Sequence, residues 1–247
     1  MTMNCKDKIA IVLVEPQSPG NVGMVCRAMK NMGLAELRLV KGCRTDHSEA
    51  RKFAVSARDV LDNARVYDSL ELALADFEIT VATTRRHGKY RGEIFSPREI
   101  VQKIQDGIGS NRVALVFGRE DNGLTTDELS LCRWHATIPA SDEYASLNLS
   151  QAVLIFCYEL FLGLAGEKSD QCRTVAPVWE MEALYRHMET SLRGIGFLNE
   201  QNPVHLMRSL RRIFARSDLD SREVAILRGI MSQIDWATGN TPKGDEP

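Results

Sequence analysis

The sequence has no excess of charge of one sign. Across 247 residues, 31 Lys and Arg stand against 33 Asp and Glu, a net charge of −2. Nothing in the whole-chain field would draw the protein to a polyanion, so any such affinity must come from local clusters, whose positions become informative. The six cysteines, Cys5, Cys26, Cys43, Cys132, Cys157 and Cys172, form no C-x-x-C pair, and no His cluster stands near them. That pattern argues against a structural metal and for reduced thiols. Apolar runs of membrane-spanning length are missing, so no membrane association is expected. The opening residues lack the apolar stretch and cleavage site of a signal peptide, so the expected compartment is the cytoplasm. Internal repeats and low-complexity tracts are also missing. Aromatic residues make up only 6%, yet 44% hydrophobic and 26% charged residues are ordinary for a globular chain. The length admits one large domain, or one domain plus a small one.

The periodicity alternates. Ile9–Val14 (IAIVLV) is a continuous, β-branched apolar run and reads as a strand buried on both faces. Further strands are expected at 36–40, 64–67, 79–84, 112–118 and 135–140. Between them, helical spacing covers 22–32, 48–61 (with Phe53, Ala54, Ala57 and Leu61 in step) and 70–75. Ser96-Pro97 opens another helix, with Ser as N-cap and Pro in the first turn. Thr125 and Glu128 match a capping box. From Leu149 to Leu164 apolar residues recur at i, i+3, i+4 and i+7, the stripe of an amphipathic helix. Strands alternating with helices imply an α/β fold with a mostly parallel sheet covered on both faces. Ligands of such sheets sit beyond the carboxyl ends of the strands. The division expected is a domain over 1–165, a polar linker over 166–177, and an all-helical unit over 178–247 ending in a disordered tail.

Three segments could carry chemistry. The first is Pro19-Gly20-Asn21-Val22-Gly23 followed by Arg27. At about 100° per residue, Arg27 points well away from the arc of Val22, Val25, Met29 and Met32, toward solvent or a ligand. The second is Phe117-Gly118-Arg119-Glu120-Asp121-Asn122-Gly123-Leu124, a strand end with glycines that let a ligand approach the backbone. It is neither G-x-G-x-x-G nor a P-loop. The third is Ile138-Pro139-Ala140 with Tyr144-Ala145-Ser146-Leu147-Asn148-Leu149-Ser150, where helix capping explains one of Ser146 and Asn148 but not both. Each segment alone has a plain structural reading.

Their order and spacing (N-x-G-x-x-x-R, F-G-x-E-x-x-G-L, then I-P with S-L-N-L-S) resemble the SPOUT superfamily of RNA methyltransferases, in its TrmH-like branch of ribose 2′-O-methyltransferases. The resemblance covers Lys8 to about Leu164. It implies a deep trefoil knot near the carboxyl end of the sheet, S-adenosyl-L-methionine as cofactor, and a homodimer. Carried over by motif, Gly118, Ile138, Ala145, Ser146 and Leu147 line the cofactor site, with Thr83, Thr84 and Arg85 as its other wall. Asn21, Arg27, Glu120, Ser146 and Asn148 are the catalytic set. Ala145 departs from a second Ser often found there. The C-terminal RSLRRIFARSDLDSREVAILRGI is similar to the branch acting on cytidine or uridine at position 32 of the tRNA anticodon loop.

Two basic clusters then suit an RNA partner. Arg86, Lys89 and Arg91, with His87 and Tyr90, follow a strand beside the proposed cofactor wall. Arg208, Arg211, Arg212 and Arg216 lie on one expected helix, opposite Leu206, Leu210, Ile213 and Phe214. Ribosomal RNA as substrate, and a non-catalytic RNA-binding protein of the same fold, stay open as alternatives.

Overall fold

The computed structural model describes residues 5–43, 45–85, 93–141, 143, 146–164, 174–198 and 203–239. These divide into two compact units, Met1–Thr174 and Val175–Pro247. The linker and tail expected around 166–173 and 240–247 lie outside the described residues.

The first unit is built on a parallel sheet of seven strands: β1 (Ile9–Val14), β2 (Glu36–Val40), β3 (Arg65–Tyr67), β4 (Ile79–Thr83), β5 (Ile94–Phe95), β6 (Val113–Phe117) and β7 (Trp134–Ala136). Their order is β3-β2-β1-β6-β4-β7-β5. Every residue of β1 is buried, and Val12 faces Arg38 on one neighbour and Val116 on the other. Among the described residues seven α-helices accompany the strands: α1 (Pro19–Asn31), α2 (Ser48–Ala54), α3 (Arg58–Asp62), α4 (Leu70–Leu74), α5 (Pro97–Ile108), α6 (Thr126–Ser130) and α7 (Leu149–Gly163). Local chemistry sets several starts. Ser96 with Glu99 and Thr125 with Glu128 form complete capping boxes, and Pro97 occupies the first turn of α5.

Four details differ from the sequence reading. Helix α1 begins at Pro19, because the Ser18 side chain accepts from the Asn21 N–H at 3.3 Å and caps it there. The helix expected over 48–61 is broken at Val55, whose φ of 50° lies in the left-handed region. Strand β7 ends at Ala136, and the edge strand β5, only two residues long, carries no periodicity to read. Helix α7 buries Leu149, Val153, Phe156, Cys157 and Leu160 of the expected stripe, but Phe161, expected in it, is exposed together with Leu154, Tyr158 and Leu162.

At the amino-terminal edge of the sheet Arg38 is almost fully buried. It donates to Glu36 at 2.6 Å, to Asp76 at 2.9 Å and to the Ala73 carbonyl at 2.9 Å, and lies 4.2 Å over the Phe77 ring. Arg112 pairs with the same two carboxylates. Burial alone would raise the Asp76 pKa, but hydrogen bonds and charge from Arg38, reinforced by Arg112, bring it down to about 2 from 3.8. Because the folded value lies below the unfolded one, this stabilisation is complete above the unfolded pKa and is lost as pH falls through the folded pKa. Asp76→Asn is therefore expected to lower the melting temperature at neutral pH and to flatten its decline between about pH 4 and pH 2, as followed by circular dichroism.

Candidate active site

The first turn of α1, the loop after β6 and the first turn of α7 meet through one chain of hydrogen bonds. Ser150 donates through its N–H and hydroxyl to Asn148 Oδ1, at 2.9 and 2.7 Å. Asn148 Nδ2 donates to Asn21 Oδ1 at 3.0 Å, and Asn21 Nδ2 donates to Glu120 Oε1 at 2.9 Å. Glu120 also accepts the N–H groups of Gln17 at 2.9 Å and Ser18 at 3.1 Å. An amide that accepts on its oxygen must donate onward through its nitrogen, so the chain has one direction and Ser150 sets it. Burial pushes the Glu120 carboxyl up, but the bonds from Asn21, Gln17 and Ser18 outweigh it and hold the pKa below the usual value. Glu120 is thus an ionised carboxylate with both oxygens occupied.

The loop bearing Glu120 is held tightly. A Cβ on Gly118 would stand 2.2 Å from the Gly123 carbonyl carbon and 2.4 Å from the Leu124 nitrogen, so only glycine fits. Arg119 and Gly123 close the loop by an antiparallel bridge, with Gly123 at φ 67°. The Arg119 guanidinium donates to Glu15 at 2.9 Å and to both oxygens of Glu128 at 2.9 and 3.0 Å. Glu128 also completes the α6 capping box, so Arg119 ties together the end of β1, the loop and the next helix. Sequence reasoning did not single out Arg119. Its carboxylate partners are 104 and 9 residues away, and the distant one leaves no local signal.

The loop after β6 and the start of α7 line a cleft of about 220 Å³ beyond the carboxyl ends of β4, β6 and β7, whereas Asn21 and Asn148 stand behind its wall and reach it through Glu120. Thr83, Thr84 and Arg85 line one side, with Gly118 and Glu120 beside them. Ile138, Ser146 and Leu147 complete the motif residues of its wall, and Leu124, Leu149 and Phe156 add apolar surface. The Thr83 hydroxyl donates to the Val116 carbonyl at 2.9 Å, so it is committed to the sheet. Ala145 and Tyr144, with the expected cluster of Arg86, His87, Lys89, Tyr90 and Arg91, lie outside the described residues. Among the described residues no group of three or more His, Cys, Asp or Glu could hold a metal ion.

Arg27 is not part of the cleft wall. It is exposed on α1, with no hydrogen bond or ion pair among the described residues. Seven residues on from Gly20, it points in nearly the same direction as that glycine.

The second unit comprises α8 (Val178–Gly194), α9 (Pro203–Ala215) and α10 (Ser221–Ala237). Here the expected arginine face needs correction. Arg211 turns inward, donating to both oxygens of Glu182, whose side chain is only 7% exposed, and lying 4.4 Å over the Tyr185 ring. Arg212 donates to the Ser209 hydroxyl at 3.0 Å, Arg208 is half-buried, and Arg216 is exposed. Ile213, expected on the packed side, is 51% exposed. The readable signal was Glu182 itself, a carboxylate within the apolar stripe of Val178, Tyr185 and Met188, which must find a buried cation.

Comparison with known proteins agrees over both units. The model of the SpoU rRNA Methylase family matches residues 8–158, and that of the tRNA methyltransferase TrmJ C-terminal domain matches residues 179–244. The chain is 42% identical to the tRNA (cytidine/uridine-2′-O-)-methyltransferase TrmJ of Salmonella typhimurium, over 92% of this chain and 96% of that one. It is 40% identical to the tRNA (cytidine/uridine/adenosine-2′-O-)-methyltransferase TrmJ of Pseudomonas aeruginosa, over 92% and 93%. The crystal structure of TrmJ from Z. mobilis ZM4 superposes with a TM-score of 0.82 at 34% identity, covering 92% of this chain and 98% of that one.

Proposed function

The chain belongs to the SpoU methylase family, within its TrmJ branch, and from that premise we propose that it is an S-adenosylmethionine-dependent methyltransferase acting on a ribose 2′-hydroxyl of tRNA. The observation that carries the reading is the chain of hydrogen bonds from Ser150 through Asn148 and Asn21 to Glu120, which ties three distant motifs together and ends on the cleft wall.

The cleft fits the cofactor in its chemistry. Leu124, Ile138, Leu149 and Phe156 supply apolar surface for a purine. Gly118 lies on the wall, and Thr84, Arg85, Glu120 and Ser146 bring polar groups to it. Thr83, Thr84, Arg85, Gly118, Ile138, Ala145, Ser146 and Leu147 are the residues assigned to hold it. When bound, the cofactor supplies a sulfonium methyl group open to in-line attack by oxygen.

The protein's own groups then have to orient the ribose and deal with its proton. Holding the reactants in line contributes several kcal/mol on its own. Arg27 is the natural clamp for the adjacent phosphate. A guanidinium stays charged, binds phosphate through its fork, and lowers the pKa of a neighbouring hydroxyl. Glu120 is unsuited to be the base, since its pKa is lowered and its oxygens are occupied. Its role is to anchor the first turn of α1, and the proton passes to a phosphate oxygen or to water.

The finer parts of the reading follow. The target is cytidine or uridine at position 32 of the anticodon loop, favoured by the C-terminal domain over residues 179–244. The basic run of Arg86, Lys89 and Arg91 contacts the RNA backbone, as do Arg208 and Arg212. The exposed apolar side of α7 is the face for a homodimer, because such a continuous patch belongs at an interface. A trefoil knot closes the carboxyl end of the sheet, a reading supported by β7, which enters between β4 and β5. The place of work is the cytoplasm. Ribosomal RNA remains a second reading, favoured by the description of the family that matches residues 8–158.

The deciding experiment treats total tRNA and ribosomal RNA with the purified protein and labelled S-adenosylmethionine, followed by nucleoside mass spectrometry and site mapping. 2′-O-methylpyrimidine at tRNA position 32 is expected. Methylation of ribosomal RNA alone would move the assignment to the second reading. Absence of both transfer and calorimetric cofactor binding would reduce the protein to an RNA binder.

A further inference from the structure

The α1–α2 surface carries three observations that the cleft does not explain. First, Phe53 is 38% exposed, although its spacing with Ala54, Ala57 and Leu61 assigns it to a core stripe. Second, the helix that would have buried it is broken two residues later. Val55 takes φ 50° and ψ −113° and is itself 51% exposed. A β-branched residue with positive φ is a true outlier, and such strain persists only where the surroundings enforce it, often at functional sites. Third, α1 offers two glycines to this aromatic. A Cβ on Gly20 would lie 3.3 Å from the Phe53 ring, and one on Gly23 would lie 2.3 Å from the Ala50 carbonyl and 2.9 Å from Phe53 Cβ. The close approach seats Phe53 directly against the first turns of α1.

Arg27 projects from α1 in nearly the direction of Gly20, between Gly23 and Lys30, whose ammonium donates to the Ser56 carbonyl at 2.9 Å, and it has no partner among the described residues. Lys52 Nζ stands 6.0 Å from the Phe53 ring, and Glu49 Oε1, 3.0 Å from the Cβ position of Gly20, places an acceptor at the rim. An exposed aromatic beside unpaired positive charge is the chemistry that holds a single-stranded base and its phosphate. We propose that Phe53 is a stacking platform for an unpaired nucleobase of the RNA substrate, next to the phosphate held by Arg27.

This rests on the RNA methyltransferase reading, and the test separates the two. The probe is an anticodon stem-loop with 2-aminopurine in the loop beside the target ribose, whose fluorescence is quenched by stacking. The full-length protein, Phe53→Leu and Phe53→Tyr are compared for quenching, KM for tRNA and calorimetric affinity for S-adenosylmethionine. Leucine keeps apolar bulk against Gly20 and Gly23, and an unchanged melting temperature confirms the fold. Phe53→Leu is expected to lose the quenching and raise KM about tenfold or more. Phe53→Tyr should retain both, and cofactor affinity should be the same in all three. If the wild type methylates the RNA but Phe53→Leu keeps its quenching and a KM within about twofold, the platform is overturned. It is equally overturned if Phe53→Leu alters the oligomeric mass in solution, which would place Phe53 between copies of the chain. If the wild type neither binds nor methylates any RNA, the underlying functional reading fails instead.

Discussion

Arg27→Ala is expected to lower kcat for methyl transfer by about 10² to 10³-fold, the usual cost of removing one hydrogen-bond donor that meets charge developing in the transition state. Two observations sharpen this expectation. Arg27 is exposed and carries no partner within the described fold, so its loss should change stability by no more than about 0.5 kcal/mol. It also stands outside the cleft wall, so affinity for S-adenosylmethionine, read by calorimetry, should be unchanged. Arg27→Lys keeps the charge but loses the planar fork and should fall between alanine and wild type. Near-normal turnover of Arg27→Ala at saturating tRNA would sink the assignment.

A second large effect is expected in the other unit and for a different reason. Arg211→Glu should unfold the helices over 178–237. It would set two carboxylates face to face where Arg211 now satisfies Glu182, and breaking a buried pair costs about 3–5 kcal/mol. At about 0.05–0.15 kcal/mol per residue, a three-helix unit of about 60 residues holds roughly 3–9 kcal/mol, so that loss would consume most or all of its stability. Loss of the unit's helical signal in circular dichroism, or its selective proteolysis, would report it. The contrast is Arg216→Glu on the exposed side of the same helix. It should leave the melting curve in place and reduce the salt dependence of tRNA binding. Replacing Arg211 and Glu182 together by apolar residues should restore folding, because no buried charge is then left alone. A stable, cooperative Arg211→Glu variant would refute the account.

The contrast between these arginines shows what a sequence can carry. Caps are local: Ser96, Pro97, Thr125 and their partners lie within a few positions, and the helix starts they dictate are readable. The apolar run of β1 is readable because burial on both faces leaves no alternation. Of the residues expected at the cofactor wall, all but Ala145, outside the described residues, line one cleft. Pairings across distance are a different matter. Arg211 with Glu182, Arg119 with Glu15, and Asn21 with Glu120 are separated by 29, 104 and 99 positions, and no period announces them. The break at Val55 was hidden for a related reason. Helical spacing continues through it, while the backbone turns to φ 50° there.

The order of the strands has a consequence for synthesis on the ribosome. The cleft draws on the ends of β4, β6 and β7 and on Phe156 of α7, and its anchor Asn21 waits for Glu120 and Asn148. A chain emerging amino-terminus first exposes Asn21, in the first turn of α1, 99 residues before Glu120 and 127 before Asn148 leave the exit tunnel. Such high contact order makes closure of the site a late and slow event. Until then Asn21 must be satisfied by water, and the half-built sheet offers β1 with its β6 edge open. Slowing translation around residues 118–156 should therefore lengthen the life of an aggregation-prone nascent state while leaving the finished fold unchanged.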